Sequence, residues 1–269
     1  MHGAQPFIVG AAAMTFIVAL RYLAVSGLFA WLTRRLHPAV YAPADPGRRV
    51  RLARQMRREI GWSLLSAVIY GVPAGLVGVA WSSWGWTRIY SGPGPGWWYW
   101  PLGVAIYLFA HDTWFYWTHR AMHTPALFAR VHSVHHASRP PTAWAALSFH
   151  PWEALSGAFL IPALVFIVPI HVDALLMVLA VMTFFGVTNH MGWELFPKSW
   201  LAGPFGRTMI TASHHHLHHR SYRCNYGLYF RFWDRLCGTD RGWAGELTHD
   251  LAPLDGHPAA AADRQRAAA

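Results

Sequence analysis

The residues of this chain best suited to chemistry are its histidines. Of 18 in the sequence, 14 fall between His111 and His219. Four groups stand out. His119-Arg-Ala-Met-His123 is an H-x3-H pair and His132-Ser-Val-His135-His136 an H-x2-H-H set; His190 stands alone in Thr188-Asn-His-Met-Gly-Trp-Glu194; and His214-His-His-Leu-His-His219 holds a second H-x2-H-H set as His215, His218 and His219. On a helix, residues at i, i+3 and i+4 share a face, so each multi-histidine group can aim two or three imidazoles in one direction. Imidazole ligates iron, zinc, copper or nickel, and hard oxygen-seeking ions far less well. The four groups together supply nine imidazoles. A tetrahedral zinc takes four, so nine point to two metal ions.

Blander explanations fit less well. A lone histidine near a membrane surface is usually a hydrogen-bonded polar residue, and a purification tag is terminal, whereas this run is internal. Three separated clusters with helical ligand spacing are hard to reach by chance. Two carboxylates accompany them. At 100° per residue, Asp112, Tyr116, His119 and His123 fall within about 40° of one stripe, so Asp112 either orients a ligating imidazole or makes a helix-packing hydrogen bond. Glu194 lies four residues after His190, and a helix starting near Asn189 would set both on one face. Glu194 would then be a carboxylate ligand, an acceptor that fixes the tautomer of a ligating histidine, or an interfacial partner of an arginine. His111 lies off the Asp112 stripe and reads as structural. His150 and Glu153 are spaced to pair with each other, in a supporting role rather than as ligands. His171 reads as solvated, and His214 or His216 as support for the last group.

The elements that must position these groups are apolar. Hydrophobic residues make up 54% of the 269 and charged residues only 13%, about half the ~25% usual for soluble domains. The net charge of +10 is therefore read as membrane topology and not as nucleic-acid binding. Apolar runs cover Pro6–Leu32, Ile60–Trp81 and Trp97–Trp117, each long enough to span a bilayer, for which about 20 residues suffice. The opening MHGAQPF lacks the basic region of a signal peptide. Ala154–Val168 and Val172–Val187 form a hairpin turning at Pro169–His171, with its depth in the membrane left open. Between Arg34 and Arg58 lie eight arginines against one Asp45, which the positive-inside rule assigns to the cytoplasm as a loop. Counting onward, Ser91–Gly96 lies outside and all four histidine groups inside, on the side that Arg120, Arg130 and Arg139 also favour. Trp97, Trp98 and Trp100 read as an interfacial aromatic belt. Cys224 and Cys237 make neither a disulfide framework nor a CxxC pair.

The string His111-Asp-Thr-Trp-Phe-Tyr-Trp-Thr-His-Arg-Ala-Met-His123 resembles the first histidine box of the fatty acid hydroxylase/sterol desaturase superfamily, closest in look to sterol C5-desaturase-like proteins. His132–His136, Phe149-His-Pro-Trp-Glu153, and His214–His219 followed by Asn225-Tyr-Gly227 and Trp233-Asp-Arg235 match in the same order, so the likeness covers about Ala110 to Thr239. It implies an integral-membrane oxygenase with two non-haem iron ions and dioxygen as co-substrate, acting on a lipid chain or sterol. By the same likeness the metal ligands are His119, His123, His132, His135, His136, His215, His218 and His219, with His190 at a position where the family varies. His37-Pro-Ala-Val40 lacks the His-Pro-Gly-Gly of a fused cytochrome b5 domain, so electrons are expected from a separate cytochrome b5-, ferredoxin- or rubredoxin-like carrier.

The expected fold is an all-α integral membrane helical bundle, with about three long spanning helices plus a helical hairpin, under a cytoplasmic histidine-rich di-metal cap. Residues 1–100 would form the N-terminal membrane helices and basic loop, 101–240 the catalytic part, and 241–269 a tail disordered at its end. The expected partners are the membrane, a lipid substrate and the electron donor, with no nucleic acid; the expected location is the cytoplasmic membrane. The competing class is a histidine-rich membrane metal-binding or metal-transport protein without oxygenase activity. A zinc hydrolase is a further rival, but nine histidines exceed its needs and no G-x-S-x-G nucleophile motif is present. Carboxylate-rich di-iron bundles use about two Glu-x-x-His pairs plus two further Glu; this chain has four Glu in all and one such pair, Glu246 and His249.

Overall fold

The computed structural model describes residues 5–243; most of the tail, with Glu246 and His249, lies outside them. Six helices of ten or more residues run among the described residues: α1 (Gln5–Leu36), α2 (Pro46–Val79), α3 (Tyr99–Met122), α4 (Pro151–Leu164), α5 (Val172–Thr188) and α6 (Ala212–Ser221). Two-residue strands β1 (Ile89–Tyr90) and β2 (Ile170–His171) pair in parallel, a small departure from an all-α chain.

Two helices, Gln5–Leu36 and the continuous stretch Pro46–Trp84, are long and apolar enough to cross a membrane. They cross at small residues. A Cβ on Gly71 or Gly75 would fall inside the van der Waals radii of Thr15 and Ala11 respectively, so the Gly71-Val-Pro-Ala-Gly75 spacing lets the two backbones touch. The outward residues of α1, among them Phe16, Leu20 and Leu28, are exposed.

The expected loop from Arg34 to Arg58 is mostly helix. Asp45 accepts from the backbone N–H groups of Gly47 and Arg48, each at 3.0 Å, and Pro46 occupies the first turn, so α2 begins here and not at Ile60. At 1.5 Å per residue the 34 residues of α2 extend about 51 Å, well beyond a hydrocarbon layer of ~30 Å. The arginine-bearing first turns thus project past the apolar section.

The hairpin of α4 and α5 turns where expected, but His171 is half-buried and structured rather than solvated. Its Nδ1 accepts from the Asp173 N–H at 3.1 Å and caps α5. The hairpin tip packs beside the α2–α3 connection: β2 pairs with β1, and the Tyr99 hydroxyl donates to the Pro169 carbonyl at 3.0 Å. An apolar cluster that includes Ile89, Tyr107, Val165 and Ile170 fills this end. At the opposite end Phe29, Tyr41, Leu52, Ala143, Val187 and Trp193 form a second cluster, and the histidines gather nearby.

Candidate metal centre

Four segments deliver the imidazoles. The last turn of α3 carries His119, and His123 caps it. A π-helical turn, Phe128–His132, runs into the helical turn Ser133–His136 and brings His132, His135 and His136. His190 follows two residues after α5. Helix α6 carries His215, His218 and His219, opened by a capping box between Thr211 and His214.

Tertiary folding sorts these nine into two sets. His119, His123, His132, His136 and His218 form one; His135, His190, His215 and His219 form the other; within each, the candidate ligand atoms lie within 4.8 Å of one another. Both H-x2-H-H groups are therefore divided, each with imidazoles in both sets. All nine side chains are buried except His123, which is half-buried.

The chemistry of these sets fits two metal ions. The Nε2 atoms stand 3.1 Å apart for His136 and His218, 3.2 Å for His190 and His135, 2.9 Å for His215 and His190, and 3.1 Å for His219 and His215. Two nitrogens bound to one ion at about 2.1 Å and a right angle are about 3.0 Å apart. The Nε2 atoms of His119, His123 and His132 are buried with no hydrogen-bond partner, an arrangement costing roughly 1–3 kcal/mol per atom unless something takes the lone pair.

The opposite ring nitrogens are held by acceptors. Nδ1 of His119 donates to the Tyr226 carbonyl at 2.8 Å, that of His190 to the Gly186 carbonyl at 2.6 Å, and that of His218 to the Cys224 carbonyl at 2.8 Å. A carbonyl only accepts, so each Nδ1 carries the proton and each Nε2 keeps its lone pair for the set. Burial pushes His190 down to about 4. Burial, reinforced by neighbouring imidazoles, holds His132, His135, His136, His215 and His219 well below the ordinary histidine value. Neutral imidazole is the ligating form.

Neither set includes Asp112 or Glu194. Asp112 faces backbone and not an imidazole: its Oδ1 accepts from the N–H groups of Leu228, Tyr229 and Phe230 at 3.0, 2.8 and 3.3 Å. Asp234, within the Trp233-Asp-Arg235 motif, accepts from Tyr226 and Gly227 at 2.9 and 2.8 Å. Five consecutive backbone donors thus rest on two buried carboxylates, and this clamp presents the Tyr226 carbonyl to His119. Asp112→Ala would leave three N–H groups without their acceptor, at roughly 1–3 kcal/mol for each buried one. It is expected to lower the melting temperature in detergent and the metal content together, whereas Asp112→Asn, which retains an acceptor oxygen, restores both. An alanine variant as stable and as metal-loaded as the parent would show the clamp to be idle.

No helix starts near Asn189. The chain turns after α5, with Gly192 at φ 87°, a conformation that favours glycine. Glu194 instead holds the start of α6: Oε2 accepts from the Thr211 hydroxyl, the Ser213 N–H and the Ser213 hydroxyl at 2.8, 2.9 and 2.7 Å, and Oε1 from the Phe196 N–H at 3.1 Å.

Glu153 is a carboxylate that does meet a box histidine: its Oε1 accepts from His132 Nδ1 at 2.8 Å. His150, its expected partner, caps α4 through the Trp152 N–H. His111 binds the Tyr229 hydroxyl at 2.9 Å, away from both sets as expected. Sequence reasoning missed the contribution of α2. Gln55 donates to the Pro140 carbonyl at 2.8 Å, Arg58 to the Ala137 carbonyl at 2.7 Å, and buried Glu59 accepts from Thr142 at 2.5 Å. Those contacts pin the segment that follows the second histidine group. A lone glutamate beside an apolar run was the available signal.

Residues 104–239 match the family described as Fatty acid hydroxylase. The chain is 29% identical over 174 residues to the Delta(7)-sterol 5(6)-desaturase ERG3B of Gibberella zeae, covering 61% of this chain and 52% of that one. It is 29% identical over 145 residues to the C-4 methylsterol oxidase erg25 of Schizosaccharomyces pombe, covering 52% and 47%. To the lathosterol oxidase of Mus musculus it is 30% identical over 159 residues, covering 58% and 51%. The chain thus matches about half the length of these curated relatives. No solved structure matches it.

Proposed function

The chain belongs to the fatty acid hydroxylase family, and from that premise we propose a membrane-bound non-haem di-iron oxidoreductase that uses O2 and two electrons to hydroxylate or desaturate a lipid of sterol or fatty acyl type. The observation that carries this reading is the division of nine buried imidazoles into sets of five and four. The names of the relatives, sterol desaturase and methylsterol oxidase, support the lipid class.

In this reading His119, His123, His132, His136 and His218 hold one ion and His135, His190, His215 and His219 the other. The chemistry such a pair supplies is reductive activation of dioxygen, strong enough for oxidation of an unactivated C–H bond. The chain binds and orients. Carbonyls of Gly186, Cys224 and Tyr226 and the Glu153 carboxylate keep the ring protons on Nδ1, and burial of the imidazoles excludes water. Residues 101–240 are the catalytic part and 1–100 the membrane-anchoring part. A metal transporter is not favoured, because transporters place ionisable ligands near the bilayer midplane, whereas here they lie at and beyond helix ends. Electrons come from a separate cytochrome b5-, ferredoxin- or rubredoxin-like donor. Protein purified in detergent should carry about two irons per chain and, supplied with reducing equivalents, consume dioxygen faster when lipid is added. Zinc in place of iron, or oxygen uptake indifferent to lipid, would sink the proposal.

The proposed topology has α1, α2 and α3 as three crossings, with the N-terminus outside and the histidines facing the cytoplasm at the cytoplasmic membrane. Its support is the arginine content of the α1–α2 region. Ala44 and Ser91 are both exposed and lie on opposite sides in this arrangement. A membrane-impermeant maleimide applied to intact cells should label Ser91→Cys and leave Ala44→Cys unmodified until the cells are opened. The parent chain, whose Cys224 and Cys237 lie on the Ala44 side, provides the unlabelled control. Labelling of Ala44→Cys from outside reverses the assignment.

A further inference from the structure

Away from both histidine sets, an apolar groove of about 870 Å³ runs along α3. Its floor is Pro101, Val104, Ala105, Leu108 and Phe109, the i, i+3, i+4, i+7, i+8 stripe of one helix face. Phe230, Phe232 and Leu236 form the other wall, with the Phe232 ring edge-on to Phe109 at 5.6 Å.

The same groove is lined by Arg207, Arg231 and Arg235. Arg231 is buried and grips both oxygens of Asp240, at 2.7 and 3.1 Å. Arg235 reaches the same carboxylate at 3.1 Å, with 49% of its side chain exposed. Arg207 is exposed. Three guanidiniums against one carboxylate leave two positive charges beside an apolar channel. A neutral sterol gives that charge no counterpart; a guanidinium fork matches phosphate oxygens. A zwitterionic lipid sets its own cation beside that phosphate, whereas an anionic lipid brings the net negative charge that the two surplus positive charges lack.

We propose that this groove binds one anionic phospholipid drawn from the bilayer, with an acyl chain along Pro101–Phe109 and its phosphate at Arg207 and Arg235. The proposal rests on α3 facing lipid and is independent of the metals. The test is native mass spectrometry of the full-length protein in detergent, titrated with phosphatidylglycerol or with phosphatidylcholine of the same chains. Two surface arginines predict a preference for phosphatidylglycerol on the order of 30-fold. Arg207→Gln combined with Arg235→Gln should abolish that preference, while Arg54→Gln with Arg57→Gln, on the exposed basic turns of α2, should keep it. Ala105→Trp, which fills the groove and leaves the arginines, should also lose the tightly bound lipid. Equal binding of the two lipids by the parent protein would overturn the site, as would a preference that survives in the Arg207/Arg235 variant or disappears in the α2 variant. An unchanged melting temperature in detergent for each variant confirms that the protein is folded, and the labelling of Ser91→Cys reports separately on the membrane reading.

Discussion

His135→Ala is expected to abolish lipid oxidation and to reduce bound iron from about two per chain to about one. His135 belongs to the set of four, with His190, His215 and His219, so its removal leaves three imidazoles and an open position. His218→Ala should behave differently. It comes from the set of five, and four imidazoles remain, enough to retain an ion. Iron should stay near two per chain while activity falls by more than the roughly 10–100-fold that loss of a mere supporting contact costs, because a ligand is gone and the ion's redox tuning is disturbed. His171→Ala, at the cap of α5 and remote from both sets, should keep its iron and its activity. Metal analysis and product formation on the same purified samples decide the matter, and full activity in either His135→Ala or His218→Ala would reject the centre.

Glu194→Gln should cost nearly as much, for a reason that lies in hydrogen-bond polarity. The two oxygens of Glu194 face donors: Oε2 takes the Ser213 N–H and two hydroxyls, and Oε1 takes the Phe196 N–H. An amide offers one acceptor oxygen and one donor group. In either orientation a backbone N–H meets the NH2 group, and a buried donor is left unpaired at a cost of about 1–3 kcal/mol. The affected end of α6 sets the direction of His215, His218 and His219, which serve both sets. Reduced iron content and a loss of activity of at least about tenfold are expected, with the chain still inserted in the membrane. Glu194→Asp, which keeps two acceptor oxygens, should recover part of both. Wild-type activity in Glu194→Gln would show that Glu194 has no part in positioning α6.

The sequence by itself determined which histidines gather and where the apolar elements run. Both follow from local geometry: i, i+3 and i+4 spacing projects side chains from one face within a single turn, and an apolar run of sufficient length reads as a span whatever it packs against. The start of α2 was also legible, since Asp45 followed by Pro46 is a local capping signal; the arginine count drew attention instead to a loop. Only the tertiary structure decided how nine imidazoles divide into five and four, because each H-x2-H-H turn lies between the two sets and its neighbours come from other segments. It also decided the carboxylate partners. Asp112 meets the N–H of Leu228, 116 positions away, and Glu153 meets His132, 21 positions away; neither separation leaves a trace in periodicity. The spacing of His190 and Glu194 mimics a helical pair, yet the turn at Gly192 sends the two side chains to different work. A carboxylate's partner depends on where distant backbone arrives, and that is fixed by the packing of the whole bundle rather than by its immediate sequence.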